Sequence, residues 1–251
     1  MKIAVITGAS SGLGLEFLSS IPQYYPDIEE YWLIARRRER LEEIASKSNV
    51  LCRILPLDLT HGESFSTIAS LAAETKPDVR LLINNSGCGY LGAVGEGELE
   101  KQTRMTELNV VGLTATTHTL LPYIGEGGAI INISSIASFC PNPNMTVYSS
   151  TKAYVTAFSL GLGEELKQKK ISVTAVCPGP MDTEFLTVGN ILGNSKMFET
   201  LPYCNPAKVA RGALRAAVHK RSVYTPMAFY KLYRFIAKVT PVKLMMKIAK
   251  T

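Results

Sequence analysis

The feature that most constrains the fold is a short apolar run that leads directly into a glycine-rich turn. Residues Lys2–Thr7 are mostly apolar, as expected of a β-strand buried on both faces. Gly8, Gly12 and Gly14 follow in the spacing G-x-x-x-G-x-G, and a helical pattern of apolar residues continues from Leu13. Strand, glycine-rich turn and helix form the context in which a nucleotide pyrophosphate binds at a helix N-terminus. The alternative is a glycine-rich turn that binds nothing.

The residues of this turn are candidate contacts for a bound nucleotide. The first two glycines would let the backbone turn and approach a pyrophosphate, and the third would let the helix pack closely. We therefore predict cofactor contacts from Gly8, Ser10, Ser11, Gly12, Leu13 and Gly14.

Apolar runs of strand length recur along the chain and alternate with helical patterns. They cover Glu30–Ala35, Val50–Leu57, Arg80–Ile83, Ala129–Ser134, Ile171–Cys177 and Ser222–Tyr224. With the first strand they predict an α/β fold of Rossmann type, a doubly wound seven-stranded parallel sheet with helices on both faces. The 251 residues suffice for one such domain. We place it at residues 1–226, with a lid at about 184–205 and a basic amphipathic extension at 227–251.

The residues after the second strand indicate which dinucleotide would bind. The end of this strand meets the adenosine ribose, where an acidic residue would hydrogen-bond the 2′-hydroxyl. Ala35 stands there instead, and Arg36 and Arg37 follow. A 2′-phosphate needs a cation, so the sequence favours NADP(H), with Arg36 as first candidate, Arg37 second and Ser11 assisting. The alternative is that the arginines begin the next helix on its solvated side, as we expect of Arg40.

Polar residues also follow the later strands. Asp58 could accept a hydrogen bond from an adenine amino group, cap the helix that begins near Gly62, or do both. Because open α/β sheets bind ligands at the carboxyl ends of their strands, we expect further cofactor contacts there. The candidates are Asp58, Leu59, Asn84, Asn85, Gly87, Pro178, Gly179 and Thr183.

A serine, a tyrosine and a lysine are the candidate catalytic residues. Tyr148 and Lys152 stand four residues apart at the start of a long helical pattern, and Ser135 follows the fifth strand. Ser135 could bond a reacting oxygen while Tyr148 gives or takes its proton. We expect the Lys152 ammonium to lower the pKa of the Tyr148 phenol from about 10 towards neutrality. The alternative is a chance Tyr-x-x-x-Lys pair in a helix.

Taken together, the motifs resemble those of the short-chain dehydrogenase/reductase family, in its Tyr-x-x-x-Lys branch. They are Thr7-Gly8-x-x-x-Gly12-x-Gly14, Asn84-Asn85-Ser86-Gly87, Asn109, Ser135, Tyr148-x-x-x-Lys152 and Pro178-Gly179, within residues 1–225. The resemblance implies an NAD(P)(H)-dependent oxidoreductase with a tetrad of Asn109, Ser135, Tyr148 and Lys152. In that family the tyrosine is the acid/base, the lysine lowers its pKa and holds the nicotinamide ribose, the serine polarises the carbonyl, and the asparagine supports a proton relay through water.

The resemblance also implies a homodimer or homotetramer built from the helix around Asn109 and the helix that carries Tyr148. From the residues alone, Asn109 is a polar amide in an otherwise apolar part of a predicted long helix, Glu98–Leu121. Such a buried amide must find hydrogen-bond partners. It could hold a water or a local helix kink near Lys152, or be a satisfied core residue.

The substrate is predicted from the residues expected to line the pocket, which are mostly apolar. Residues 184–205 show no clean periodicity, and a loop of that length is usually functional, so we interpret it as a lid. The candidates are Phe139, Met145, Met181 and Phe185, followed by Cys88, Tyr90, Leu186 and Phe198. They favour a hydrophobic ketone or alcohol, steroid-like or lipid-like, as for a carbonyl reductase or hydroxysteroid dehydrogenase. The alternatives are a 3-oxoacyl thioester reductase and a non-catalytic NADP(H)-binding regulator.

The C-terminal segment reads as a basic amphipathic helix. Apolar residues recur at helical spacing on the side opposite the cations. Before Pro241 the apolar residues are Phe229, Leu232, Tyr233 and Ile236, and the cations opposite them are Lys231, Arg234 and Lys238. After Pro241 the apolar residues are Leu244, Met245 and Ile248, and the cations are Lys243, Lys247 and Lys250. Residues 228–251 could lie on an anionic membrane, dock on a partner subunit or cover the substrate pocket.

Composition excludes several other classes of protein. The five cysteines form no C-x-x-C pair, which favours a reducing compartment. The three histidines are scattered, so we expect no metal. No apolar run approaches the roughly 18 residues of a membrane span, and no signal peptide is recognisable. We expect a cytoplasmic protein without a nucleic-acid partner, despite the net charge of +6.

Overall fold

The computed structural model describes residues 1–191, 193 and 195–248. Within them, seven strands form one sheet in the order β3-β2-β1-β4-β5-β6-β7, and every neighbouring pair is parallel. The strands are β1 Lys2–Thr7, β2 Glu30–Ala35, β3 Leu51–Pro56, β4 Asp78–Asn84, β5 Ala129–Ile133, β6 Ser172–Val176 and β7 Val223–Tyr224. The predicted seven-stranded parallel sheet is confirmed.

Helices cover both faces of the sheet. The α-helices are α1 Leu13–Tyr24, α2 Arg38–Ser46, α3 Gly62–Thr75, α4 Leu99–Thr106, α5 Leu113–Leu120, α6 Thr146–Glu165, α7 Glu184–Val188, α8 Lys196–Thr200, α9 Pro206–Val218, α10 Ala228–Val239 and α11 Val242–Ile248. Short 3₁₀ turns lie at Leu121–Tyr123, Ile136–Ser138 and Lys167–Lys169. Asn205 caps α9 as its residue type suggests, because its side chain accepts a hydrogen bond from the Lys208 amide at 3.0 Å.

The sheet is buried between two apolar layers, which explains why its strands read as continuous apolar runs. In β1, Ala4 and Ile6 face the layer that contains α1 and α9, whereas Ile3 and Val5 face the layer that contains α3, α5 and α6. All four side chains are fully buried. The carboxyl ends of the strands therefore form one edge on which loop residues from several elements converge.

The predicted long helix Glu98–Leu121 is interrupted. A π-helical turn, Glu107–Gly112, separates α4 from α5 and contains Asn109, which is 1% exposed. Turns of this kind leave the regular hydrogen-bond ladder and are frequent at functional sites. Asn109 has three side-chain hydrogen bonds in this turn, which matches the alternative of a satisfied core residue; whether it also holds a water stays a prediction.

The segment proposed as a lid has more structure than the sequence suggests. Residues 184–205, expected to be a loop, contain the short helices α7 and α8, and Leu186 of α7 is 2% exposed. Leu192 and Asn194 of this segment lie outside the described residues. Whether the segment acts as a lid stays a prediction.

The C-terminal helix α10 is attached to the domain through Tyr230 and Arg234. Tyr230, which the predicted apolar stripe does not include, is fully buried. Its hydroxyl donates a hydrogen bond to the Pro202 carbonyl at 2.6 Å. Arg234, predicted to lie opposite the apolar stripe, is partly buried and donates to the Thr225 hydroxyl at 3.1 Å. Two residues of the predicted apolar stripe, Phe229 and Leu232, are exposed to solvent. The predicted extension ends in residues 249–251, including Lys250, which lie outside the described part of the chain.

Among the described residues, no helix is both long and apolar enough to cross a lipid bilayer.

Candidate active site

A cavity of about 330 Å³ opens at the carboxyl ends of the strands. Its walls come from the glycine-rich turn after β1, the loops after β2 to β6, the first turns of α6, and helices α7 and α8. This is the position at which open parallel sheets bind ligands.

Ser135 and Tyr148 come together in the wall of this cavity. Ser135 follows β5 in an extended conformation, and Tyr148 lies in the first turn of α6. Both side chains line the cavity, and they are 9% and 7% exposed. A group that can donate or accept a proton and a hydroxyl that can bond the same oxygen therefore meet in a site largely shielded from water.

Lys152 lies one helical turn beyond Tyr148 and is also buried. Its Nζ donates to the Ile133 carbonyl at 2.9 Å and lies 5.7 Å from the centroid of the Tyr148 ring. Burial lowers the pKa of Lys152 to about 8 and raises the pKa of Tyr148 to about 12, against a smaller lowering by the nearby Ser135 hydroxyl. The prediction of a lowered phenol pKa is therefore wrong for this geometry, because burial disfavours both charged forms and dominates.

Asn109 connects the π-helical turn to the loop after β4 and to α6. Its Oδ1 accepts from the Cys88 amide at 2.9 Å, and its Nδ2 donates to the Cys88 carbonyl at 2.8 Å and to the Thr151 hydroxyl at 3.1 Å. A Cβ added at Gly87 would lie 3.1 Å from Asn109 Oδ1 and 3.4 Å from Lys152 Nζ. The asparagine thus fixes the loop beside the lysine, and it lies behind the cavity wall.

The glycine-rich turn has the shape that a pyrophosphate requires. Gly8 and Gly12 have φ of +66° and +54°, which an L side chain rarely adopts. A Cβ at Gly8 would lie 2.8 Å from Asn85 Nδ2, which donates to the Thr7 and Gly8 carbonyls at 3.1 Å each. A Cβ at Gly14 would lie 2.3 Å from the Gly8 carbonyl, so Gly14 serves the packing of α1 and lies outside the wall.

Arg37, more than Arg36, is placed to read an anion beside this turn. Its Nη2 donates to the hydroxyls of Ser10 and Ser11, each at 3.0 Å. The side chain of Arg36 is 63% exposed, and its nearest acidic partner is Asp58 at 3.9 Å. Both arginines line the cavity, but the geometry reverses the order in which the sequence ranks them.

Asp58 faces the cavity but does not cap α3. Its Oδ1 accepts from the amide and hydroxyl of Thr60 at 3.0 and 2.8 Å, and its Oδ2 accepts from Arg104 at 2.8 Å. His61 occupies the cap position of α3 without a side-chain hydrogen bond. The capping alternative is wrong because the carboxylate turns back on its own loop and pairs with α4. Arg104 and Thr60 are neighbours that the sequence did not reveal.

Most of the remaining predicted site residues line the cavity. They are Gly8, Ser10, Ser11, Gly12, Leu13, Leu59, Asn85, Gly87, Pro178, Gly179, Thr183, Met145, Met181 and Phe185. Asn84 does not, because it is 3% exposed and its amide donates inward to Thr117 and Asn132. Phe139 does not either, because its ring packs on Tyr233 of α10 at 6.0 Å between centroids. These two placements correct the sequence-based expectation.

Two further residues of the cavity wall were missed by sequence reasoning. Glu184, at the start of α7, pairs with Arg37 and Arg40, and the distance to Arg37 is 2.8 Å. Asn142 is 6% exposed, and its Oδ1 has no hydrogen-bond partner among the described residues. No local signal in the sequence marks either one, since both depend on contacts between distant elements.

A glycine turn after β1, a doubly wound parallel sheet and a Ser-Tyr-Lys set at its carboxyl edge define an oxidoreductase of Rossmann type. The family model "short chain dehydrogenase" matches residues 2–190. The chain belongs to the short-chain dehydrogenase family, as its motifs predict.

Individual relatives agree with this assignment. An uncharacterized oxidoreductase of Staphylococcus epidermidis is 29% identical over 200 residues, which cover 79% of this chain and 85% of the relative. A short-chain dehydrogenase of Sphingobium yanoikuyae in complex with NADPH is 25% identical, with a TM-score of 0.78 over 96% of this chain and 97% of its own. A closed form of serine dehydrogenase complexed with NADP⁺ is 27% identical, with a TM-score of 0.77 over 91% and 95%.

Proposed function

We propose that the protein is an NADP(H)-dependent oxidoreductase that interconverts a hydrophobic ketone and its secondary alcohol. The observation that carries this proposal is that Ser135 and Tyr148, both largely buried, lie together in the wall of a largely apolar cavity. Such a pair can bond a carbonyl oxygen and deliver a proton to it.

In the proposed reduction, NADPH supplies a hydride to the carbonyl carbon. The Tyr148 hydroxyl donates its proton to the carbonyl oxygen while the Ser135 hydroxyl stabilises the developing negative charge. The raised pKa of Tyr148 keeps the phenol protonated at neutral pH, which suits the donor role. Lys152 Nζ is held against the Ile133 carbonyl and lies 5.7 Å from the centroid of the Tyr148 ring, and its charge would stabilise the phenolate left behind. Alcohol oxidation is the same path reversed.

The preference for NADP(H) rests on Arg37 with Ser10 and Ser11. A guanidinium and two hydroxyls beside the glycine turn are donors that suit a 2′-phosphate, and Ala35 leaves no carboxylate for a 2′-hydroxyl. Relatives at 25% and 27% identity hold NADPH and NADP⁺, which supports the same choice.

The proposed substrate is apolar. Around Tyr148 the wall consists mostly of apolar side chains, among them Met145, Phe185, Leu186 and Phe198.

Tyr148→Phe tests the chemistry. We expect turnover with NADPH to fall at least about 100-fold, since the proton donor is lost, while NADPH binding stays within about twofold. Tyr154→Phe is the matched control, because Tyr154 lies on the same helix and its hydroxyl contacts Thr114 away from the cavity. Retained turnover in Tyr148→Phe would contradict the proposal.

A ketone panel with NADPH and NADH distinguishes this function from its alternatives. Fastest turnover of bulky apolar ketones with NADPH supports the proposal, and fastest turnover of an acyl thioester supports a 3-oxoacyl thioester reductase. NADPH binding without turnover of any substrate supports the non-catalytic regulator.

We also propose that α10 and α11 contact an anionic membrane surface. Phe229, Leu232, Phe235 and Val239 lie within one face of α10 and are 52–67% exposed. Residues 200–251 contain eleven lysines and arginines and no acidic residue, whereas the preceding 199 residues contain sixteen cations and all twenty-one acids. An exposed apolar helix face in a uniformly cationic segment matches the chemistry of an interfacial helix on anionic lipid.

Cosedimentation with vesicles tests this contact. We expect the protein to bind phosphatidylglycerol vesicles and not phosphatidylcholine vesicles, and Phe229→Ser/Phe235→Ser to lose at least about tenfold in affinity. Val94→Ser/Leu99→Ser is the control, because these exposed apolar residues lie near α4. Equal binding by the two double variants would overturn the proposal.

We further propose a homo-oligomer formed through α5 and α6. Three large apolar side chains on this face are 38–53% exposed: Val111 next to α5, and Tyr154 and Leu160 of α6. Light scattering should show a dimer or tetramer that Val111→Glu/Leu160→Glu converts to a monomer, whereas Leu51→Glu on β3 leaves the mass unchanged. A monomeric wild-type protein would contradict this.

A further inference from the structure

The carboxylate of Glu184 lies between two arginine side chains at the edge of the cavity. Its Oε2 accepts from Arg37 Nη1 at 2.8 Å, and its Oε1 accepts from Arg40 Nη1. All three side chains are between 41% and 45% exposed, so ligands can reach them. The two arginines lower the pKa of Glu184 to about 2, so the group is an anion throughout the neutral range.

The same donors form a site suited to a phosphate. Arg37 holds the hydroxyls of Ser10 and Ser11 with its second nitrogen, so one guanidinium joins the glycine-rich turn to α7. Two guanidinium groups and two hydroxyls match the oxygens of a phosphate dianion better than those of a single carboxylate. A 2′-phosphate that uses Arg37 must therefore compete with Glu184.

Helix α7 connects this position with the reacting group. Phe185, the next residue, packs on the ring of Tyr148 with 5.8 Å between centroids. Leu186 is buried with Met145 and Tyr148 in one apolar cluster. A shift of the backbone at Glu184 would therefore also move Phe185, whose ring packs on the candidate catalytic tyrosine.

We propose that Glu184 is an internal competitor for the 2′-phosphate of NADP(H), and that binding of the phosphate releases the start of α7 from Arg37 and Arg40. This inference rests on the proposed use of NADP(H). Because coupling between two equilibria is reciprocal, the ion pairs that hold α7 also weaken binding of the 2′-phosphate.

Calorimetric titration with 2′,5′-ADP and 5′-AMP tests the competition without any turnover. For Glu184→Gln we expect 2′,5′-ADP to bind roughly 3- to 10-fold more tightly, as two exposed ion pairs no longer compete, with 5′-AMP unchanged. Glu199→Gln on α8 is the matched control and should change neither affinity. Arg40→Gln should weaken 2′,5′-ADP alone.

Three results would overturn the inference. They are unchanged or weaker 2′,5′-ADP binding in Glu184→Gln, equal tightening of both ligands, and a similar gain in Glu199→Gln. If the wild-type protein binds 2′,5′-ADP no better than 5′-AMP, the proposed cofactor choice fails instead.

Hydrogen exchange of the peptide that spans residues 183–188 tests the release of α7. We expect 2′,5′-ADP to raise its exchange rate in the wild-type protein and 5′-AMP to leave it unchanged. In Glu184→Gln the rate should already be raised without ligand. Equal exchange in all these samples would show that the ion pairs do not hold the helix.

Discussion

At the scale of single residues, the buried ammonium of Lys152 makes folding less favourable. Its ammonium is buried against the Ile133 carbonyl, and burial lowers its pKa to about 8 from 10.5. Below the lower value the lysine is charged in both the folded and the unfolded chain, so folding carries the full cost of burying the charge. Between these values the unfolded chain binds more protons, so this cost declines as the pH rises.

Lys152→Met should therefore stabilise the protein while it removes activity. We expect the free energy of unfolding at pH 7 to rise by about 1–3 kcal/mol, because a charge is replaced by an apolar side chain of similar length. The difference should shrink as the pH rises from about 8 to 10.5. Urea unfolding at pH 7 and near pH 10.5 measures this difference in the free energy of unfolding. Lys208→Met, at an exposed lysine, is the control. A destabilised variant would show that the ammonium contributes net stability.

At the scale of elements, α10 is attached to the cavity through Tyr230. The ring lies so close to the Pro178-Gly179 turn that a Cβ at Gly179 would be 2.3 Å from it. The hydroxyl bonds Pro202 just after α8. The C-terminal helix thus supports two parts of the cavity wall, although the sequence suggested a separate extension.

Tyr230→Ala should destabilise the whole domain. We expect a loss of about 3–5 kcal/mol in the free energy of unfolding, since a fully buried ring is removed, and about 1 kcal/mol for Tyr230→Phe, which loses one hydrogen bond. Denaturant unfolding of both variants measures these losses. Exposed Phe229→Ala should cost less than about 0.5 kcal/mol. Comparable losses at positions 229 and 230 would show that α10 is not attached as described.

Some elements could be predicted from sequence because their own residues determine them. The bounds of β1 and β2 agree with the prediction, since a strand buried on both faces is a continuous apolar run. Helices α7 and α8 have five residues each, too few to be stable alone, and exist through contacts that no local pattern reveals. Within the site, the trio of Ser135, Tyr148 and Lys152 followed from spacing, whereas the pairing of Arg37 with Glu184 joins positions 147 residues apart.

At the scale of the whole molecule, the charge is strongly segregated along the chain. All acidic residues precede position 200, and the C-terminal segment that carries α9, α10 and α11 is entirely cationic. An anionic surface would therefore attract one part of the protein and repel the remainder.

This segregation predicts a strong salt dependence of vesicle binding. Raising the salt concentration from about 0.05 M to about 0.5 M should weaken binding to phosphatidylglycerol vesicles at least about tenfold, because screening acts on exposed cations. The double variant Lys231→Gln/Lys238→Gln should reduce this salt dependence of vesicle binding. The control Lys47→Gln/Lys76→Gln, which lies before residue 200, should leave it unchanged. Binding that is insensitive to salt would mean that charge does not guide the contact.

The π-helical turn at Glu107–Gly112 also affects how this chain aligns with others. Such a turn holds one more residue than the α-helical turn it replaces, so the two flanking helices are out of phase by about 100°. A relative with an uninterrupted helix here would require a one-residue gap. Deletion of a single residue within the turn would rotate Asn109 away from Cys88 or Thr151 without changing any side chain of the tetrad. Sequence changes in this segment must therefore preserve the helical phase as well as the asparagine itself.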